Sequence, residues 1–220
     1  MPGRCGGDTV CLRRAGRLKV VRGVAGRSLP LAALLALAVV QVEAAGPSFP
    51  CSKTFSGSIE ERICRDAGLS ALDLHLAEVY AAAERKADNE HPPFLRAEQR
   101  GWIKGRNDCW KSKDVRLCVE DAYRLRITEL QARYRLVEAL GPFRFACDGS
   151  AANELVVTHF RTDPPSLIAE RGDETSLMRQ VPTGSGTRYE GRNESFWEHQ
   201  GEATVVWGWQ ATPMHCVRKP

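Results

Sequence analysis

Near residue 140 the apolar residues of this chain change their spacing, and nothing else in the sequence limits the fold as strongly. Before that point they recur every three or four residues. After it they alternate, or cluster in runs of four to seven, between turn-forming residues. A spacing near 3.6 lines up one face of a helix, and a spacing of two lines up one face of a strand. The chain therefore reads as a helical half followed by a β half. Its 220 residues have room for two small domains, and a composition 43% hydrophobic and 26% charged is that of a folded chain.

In the first half, Ser58-Ile59-Glu60-Glu61 has the form of a capping box. It predicts a short helix to about Ala67, with Gly68 as its stop. Ser70 is expected to open a second helix with Leu72, Leu76, Val79, Tyr80 and Ala83 on its apolar face. The string "NEHPPF", residues 89–94, breaks that helix, and its prolines suit the first turn of the next. The third helix carries Leu95, Gln99, Trp102 and Ile103 on one side and ends near Cys109. Asp114 can cap a long last helix with Tyr123, Ile127, Leu130 and Tyr134 along one stripe.

"LGPFRF", residues 140–145, marks the boundary between a helical domain at 49–140 and a β domain at 143–220. Eight β-rich segments follow: "FRFAC", "ELVVTHF", "SLIAE", "SLMRQV", "TRYEG", "ESFWEH", "ATVVWGW" and "MHCV". Short strands with frequent turns predict an antiparallel barrel or sandwich.

The N-terminal 45 residues carry a basic stretch, the apolar run "LPLAALLALAVV" and then small residues, the order of a secretory signal peptide. The apolar run is short for a membrane span. Six of the eight cysteines lie beyond it: Cys51, Cys64, Cys109, Cys118, Cys147 and Cys216. An even set in an exported chain reads as disulfides. Cys147 and Cys216 are alone in the β half and are expected to pair, tying its first strand to its last. Antiparallel helices would gather the other four at one end of the bundle, where three pairings are open. No cysteine pair has the two-to-four-residue gap of a zinc grip, so no metal or other cofactor is expected. Cys51 follows Ser48-Phe49-Pro50, which does not fit a bacterial lipidation site, so no stable membrane anchor is expected either. Of the 31 Lys and Arg and 27 Asp and Glu, residues 1–45 hold 7 and 2, leaving 24 against 25. That balance offers no basic excess for nucleic acid.

One stretch of the β half invites a chemical reading: "TGSGTRYEG", residues 183–191. Ser185 lacks the strand-to-helix setting of a nucleophile elbow, and His75, His91, His159, His199 and His215 have no setting that marks a base. A phosphate loop needs a lysine and a helix that are missing here. The acidic residues Glu190, Glu194, Glu198 and Glu202 would suit glycoside cleavage only as a facing pair. The remaining readings are a plain hairpin turn and a narrow glycine-flanked projection, with Arg188, Tyr189 and Trp197 bracing its base.

"CDGS" at residues 147–150, "TGSGTRYEG", "FWEHQGEATVVW" and the late Cys216 resemble the membrane-bound and periplasmic C-type lysozyme inhibitors, the MliC/PliC family. The resemblance implies an eight-stranded antiparallel barrel, not an enzyme, whose serine loop enters the lysozyme cleft and meets its catalytic acids. Carried onto this sequence, Ser185 is the inserted serine, Gly184 and Gly186 shape its loop, and Thr183 stands where the family has a first serine. Gln200, before Gly201 and Ala203, occupies the position of a lysine that reaches the same carboxylates. Losing that charge is expected to cost about 1–3 kcal/mol of binding. His199 beside it would carry charge at lower pH. Lysozyme contacts are thus expected at Gly184, Ser185, Gly186, Arg188, Tyr189, His199, Gln200 and Gly201.

The helical half is similar to the N-terminal domain of LprI-type lysozyme inhibitors through "FPCSK", "EERICRDAGLSALDLHLAEVYAAA", "LRAEQRGWIKGRNDC" and "CVEDAYRLRITEL". It implies a disulfide-stapled helical module of the periplasm. The whole chain is then expected to be a two-domain periplasmic inhibitor of C-type lysozyme. The rival reading is a cell-envelope binding or assembly module.

Overall fold

The computed structural model describes residues 46–89 and 94–220, and these described residues form one compact unit. The signal-peptide reading and the helix-opening role of Pro92 and Pro93 fall outside the described residues. Helices α1 (Ile59–Arg65), α2 (Ala67–Lys86), α3 (Phe94–Asn107) and α4 (Val115–Arg133) come first. Eight strands follow: β1 (Ala139–Cys147), β2 (Ser150–Phe160), β3 (Ser166–Arg171), β4 (Glu174–Val181), β5 (Thr187–Glu190), β6 (Ser195–His199), β7 (Glu202–Val206) and β8 (Met214–Arg218). Each strand pairs antiparallel with the next, and β8 pairs with β1 to close a barrel.

Ser58 caps α1 as its sequence predicts, accepting from the Glu61 backbone N–H. Glu61 reaches back one residue further than a standard capping box, to the N–H of Gly57 at 2.7 Å. The expected boundary between the first two helices is displaced. Asp66 ends α1 and caps α2 by accepting from the Leu69 N–H, so α2 begins at Ala67. Gly68 lies within its first turn instead of terminating its predecessor. Ser70 is no cap; its hydroxyl is buried and donates to the carbonyl of Ile63 in α1 at 2.7 Å. One residue, Asp66, serves both helix ends, its backbone N–H donating to the Arg62 and Ile63 carbonyls and its carboxylate capping α2, and this outweighs the stop tendency of a single glycine.

The helical core joins Ile63, Leu69, Leu76, Val79, Leu95, Val119, Tyr123, Ile127 and Leu130. Through it runs a buried polar chain. Arg106 donates to the Tyr123 hydroxyl (2.8 Å) and to Glu60 (2.8 Å), and that hydroxyl donates to Asp73 (2.7 Å). Asp73 also accepts from the backbone and the hydroxyl of Ser48, so the segment before α1 is tied into the bundle. Burial is the main reason the Tyr123 hydroxyl lies far above its ordinary pKa, with the Asp73 carboxylate adding to it. Trp102 packs edge-on against Tyr123 and donates to the Ala122 carbonyl, while Gln99 accepts from Arg126. This face of α3 is therefore occupied by internal packing. Disulfides Cys51–Cys64 and Cys109–Cys118 staple the ends of these helices.

α4 ends at Arg133, with Tyr134 as its C-cap. The β half starts earlier than the predicted boundary. β1 includes Ala139 and Leu140, and the Gly141-Pro142 step that reads as a break is an irregularity inside the strand, between the paired residues Leu140 and Phe143. Cys147 and Cys216 face each other in the β1–β8 register and are joined, so the third disulfide crosses the seam that closes the barrel. Alternate residues of each strand fill the interior, among them Leu155, Val157, Leu167, Ala169, Met178, Tyr189, Phe196, Ala203 and Val205. The link between β2 and β3 touches α4: Thr128 donates to the Asp163 carbonyl, and Arg124 pairs with the Asp163 carboxylate at 3.3 Å.

Candidate functional site

In an up-and-down barrel alternate hairpins emerge at the same end. The loop between β4 and β5 (residues 182–186) and the turn between β6 and β7 (residues 200–201) therefore share one end here. The structure also brings them side by side. Gly186 has φ +63°, and a Cβ built on it would lie 2.2 Å from the Glu198 carbonyl oxygen and 3.2 Å from His199 Cβ. Only glycine lets the loop press this closely on β6. Gly184 is different. It stands in open space without a positive φ, so its place in the loop is not a steric requirement.

The Ser185 carbonyl is held by two donors, the indole N–H of Trp197 (2.9 Å) and the hydroxyl of Thr183 (3.2 Å). Its own side chain is exposed, and among the described residues its hydroxyl forms no hydrogen bond. The backbone of the loop is thus anchored while the hydroxyl remains available to a partner. A serine offers one donor and two acceptor positions in a small volume.

The β6–β7 turn has two residues, Gln200 (φ +55°) and Gly201 (φ +86°), and His199 pairs with Glu202 across it. Two successive positive φ values mark the type I′ hairpin turn favoured by the right-handed twist of paired strands. A glutamine at its first position is exposed at the tip, and the Gly201 carbonyl accepts from the Arg218 N–H. Gln200 is thereby placed with its side chain free of the sheet, on the same end of the barrel as Ser185.

Beside the loop, across β6, β7 and β8, lies an open cleft of about 270 Å³, lined by Ser185, Trp197, His199, Glu202, Thr204 and His215 among others. His215 and Glu202 lie 3.3 Å apart across β7 and β8. In the sequence His215 is a histidine without a local setting. Its place follows from the register Trp197–Thr204–His215 across three strands, which no local signal announces. Arg188, opposite Trp197 in β5, is exposed but paired with Glu190 at 2.9 Å.

Tyr189 is not placed to touch a partner. It is buried in the barrel, edge-on to His159 at 5.4 Å. Its role is to fill the interior beneath the loop. Burial raises the Tyr189 phenol and lowers the His159 imidazole relative to their ordinary values, and the Glu198 carboxylate acts on both. Those three groups belong to the interior side of the sheet, not to the cleft. All six cysteines of the described residues are in disulfides, so none offers a thiolate, and no cluster of three or more His, Cys, Asp or Glu is placed to hold a metal among those residues.

Residues 145–214 match the family model described as "Membrane-bound lysozyme-inhibitor of c-type lysozyme". The match contains both the serine loop and the glutamine turn. The chain is also similar to lipoprotein LprI of Mycobacterium tuberculosis and of Mycobacterium bovis. Identity is 28% over 164 residues, covering 73% of this chain and 80% of the relative. Both resemblances read in the sequence are borne out, one on the barrel and one reaching over most of the chain.

Proposed function

We propose that this protein is an exported inhibitor that binds c-type lysozyme and closes its sugar-binding cleft with the Ser185 loop. The observation that carries the reading is a coincidence of two kinds of evidence. The residues matching the lysozyme-inhibitor family model include the two loops that stand side by side at one end of the barrel, and one of them carries an exposed serine hydroxyl with no hydrogen bond among the described residues. A retaining glycosidase uses a pair of carboxyl groups about 5–5.5 Å apart. Ser185 can donate to one such carboxylate, and the exposed Gln200 amide can donate to the other. The protein then acts by occlusion and catalyses nothing.

Export into an oxidising compartment, the periplasm in this reading, is supported by the three disulfides. The curated relatives are named lipoproteins. In this chain Cys51 is bonded to Cys64, so its sulfur is not free to carry a lipid. Among the described residues, no helix is long and apolar enough to cross a membrane.

The test is lysis of peptidoglycan by c-type, g-type and i-type lysozymes with increasing amounts of the protein purified from the periplasm. Inhibition of the c-type enzyme is expected. No inhibition of any of the three at micromolar concentration would reject the reading and leave the envelope-binding alternative.

A further inference from the structure

We infer that His199 and His215 supply the positive charge with which the cleft meets the carboxyl groups of lysozyme, so that binding tightens on mild acidification. This rests on the proposed function and specifies how the same site recognises its target. The cleft is lined by outward-facing residues of three neighbouring strands, and neither lysine nor arginine is among them. Its ionisable members are His199 from β6, Glu202 from β7 and His215 from β8.

Asp148, in the turn between β1 and β2, accepts from the His215 backbone N–H at 3.1 Å, and the other charged groups around the cleft are engaged elsewhere. Arg188 on β5 is paired with Glu190. Glu198 on β6 acts on His159 and Tyr189 at the interior side. Arg218 on β8 lies over the Phe143 ring at 3.9 Å. The loop carrying Ser185, residues 182–186, has no charged residue.

With both imidazoles neutral, Glu202 leaves the cleft with one negative charge, which opposes an approaching carboxylate. With both protonated, His215 balances Glu202 at 3.3 Å, and the exposed His199 has no hydrogen bond or ion pair among the described residues to satisfy it. It is then free to make a charge-assisted bond to a partner carboxylate. Imidazole is the side chain whose charge ordinarily changes between about pH 5 and 8.

The test is the Kd of the periplasmically produced protein for a c-type lysozyme, measured by biolayer interferometry at pH 5.5 and 8.0 and constant ionic strength. The wild type is compared with H199K and with the double variant H199Q/H215Q, and a denaturation midpoint shows that each is folded. The double variant reports the titration of the lysozyme itself. Relative to it, the wild type is expected to gain about tenfold in affinity between pH 8.0 and 5.5, and H199K is expected to bind tightly at both. A wild type whose Kd ratio equals that of the double variant would overturn this inference and leave the inhibitor reading standing. Absence of wild-type binding at either pH would overturn the inhibitor reading itself.

Discussion

Ser185 separates into two parts with different duties. Its carbonyl is fixed by Trp197 and Thr183, and its hydroxyl is left unbonded at the surface. Ser185→Ala should therefore leave the barrel intact and weaken inhibition by about 1.5 kcal/mol, roughly tenfold, as expected for a hydrogen bond to a charged group. An unchanged inhibition constant would show that the loop does not contact the lysozyme acids. His159 makes a different prediction. Burial disfavours its charged form and holds its pKa below the usual value near 6.5. As pH falls, the unfolded chain takes up this proton first. The contribution to stability is thus complete above about pH 6.5 and declines as pH drops toward the folded value. Thermal melts from pH 7.5 to 5 should show a smaller loss for His159→Gln than for the wild type; parallel losses would contradict this.

At the scale of the element, the loop and the turn depend on backbone conformation before side-chain chemistry. Gly186→Ala would put a methyl 2.2 Å from the Glu198 carbonyl at φ +63°. The β5–β6 pairing must open to admit it, at a cost of order 1–3 kcal/mol, read as a lower denaturation midpoint and lost inhibition. Gly184→Ala meets nothing within 4 Å and serves as the control. In the type I′ turn, Gln200→Lys keeps the exposed position and adds a charge. Affinity for lysozyme should rise by about 1–3 kcal/mol at neutral pH; no gain would show that this tip does not face carboxylates. The elements themselves were largely legible. Each predicted strand segment overlaps one strand, although "ATVVWGW" runs past the end of β7 at Val206, and Asp114 caps α4 as expected. The errors fell where two signals competed. Gly68 and Ser70 look like a stop and a start until the Asp66 carboxylate is seen capping α2. Gly141-Pro142 looks like a break until β2 and the barrel hold it within β1.

For the whole molecule, the pairing of β8 with β1 closes the barrel and leaves the sheet without an edge, while the β5–β6 pairing sets the β4–β5 loop beside the β6–β7 turn. The Cys147–Cys216 bond crosses the closing seam and spans 69 residues of sequence. Replacing both with serine should cost about 4 kcal/mol by the chain-entropy account of disulfides. The measurement is urea denaturation of the C147S/C216S variant against the wild type. A midpoint equal to the wild type would mean that the strand pairing alone secures the seam.

What the sequence determined alone is the class of each half and the pairing of Cys147 with Cys216, because hydrophobic period and the elimination of other cysteines are read along the chain, while the candidacy of Ser185 and Gln200 came from the family resemblance of their motifs. The tertiary structure alone decided that Tyr189 faces inward, and that Trp197 grips the Ser185 carbonyl. It alone set His199, Glu202 and His215 around one cleft. Those relations join residues on different strands, and strand register, which puts a side chain inside or outside a barrel, is settled by the pairing of the whole sheet.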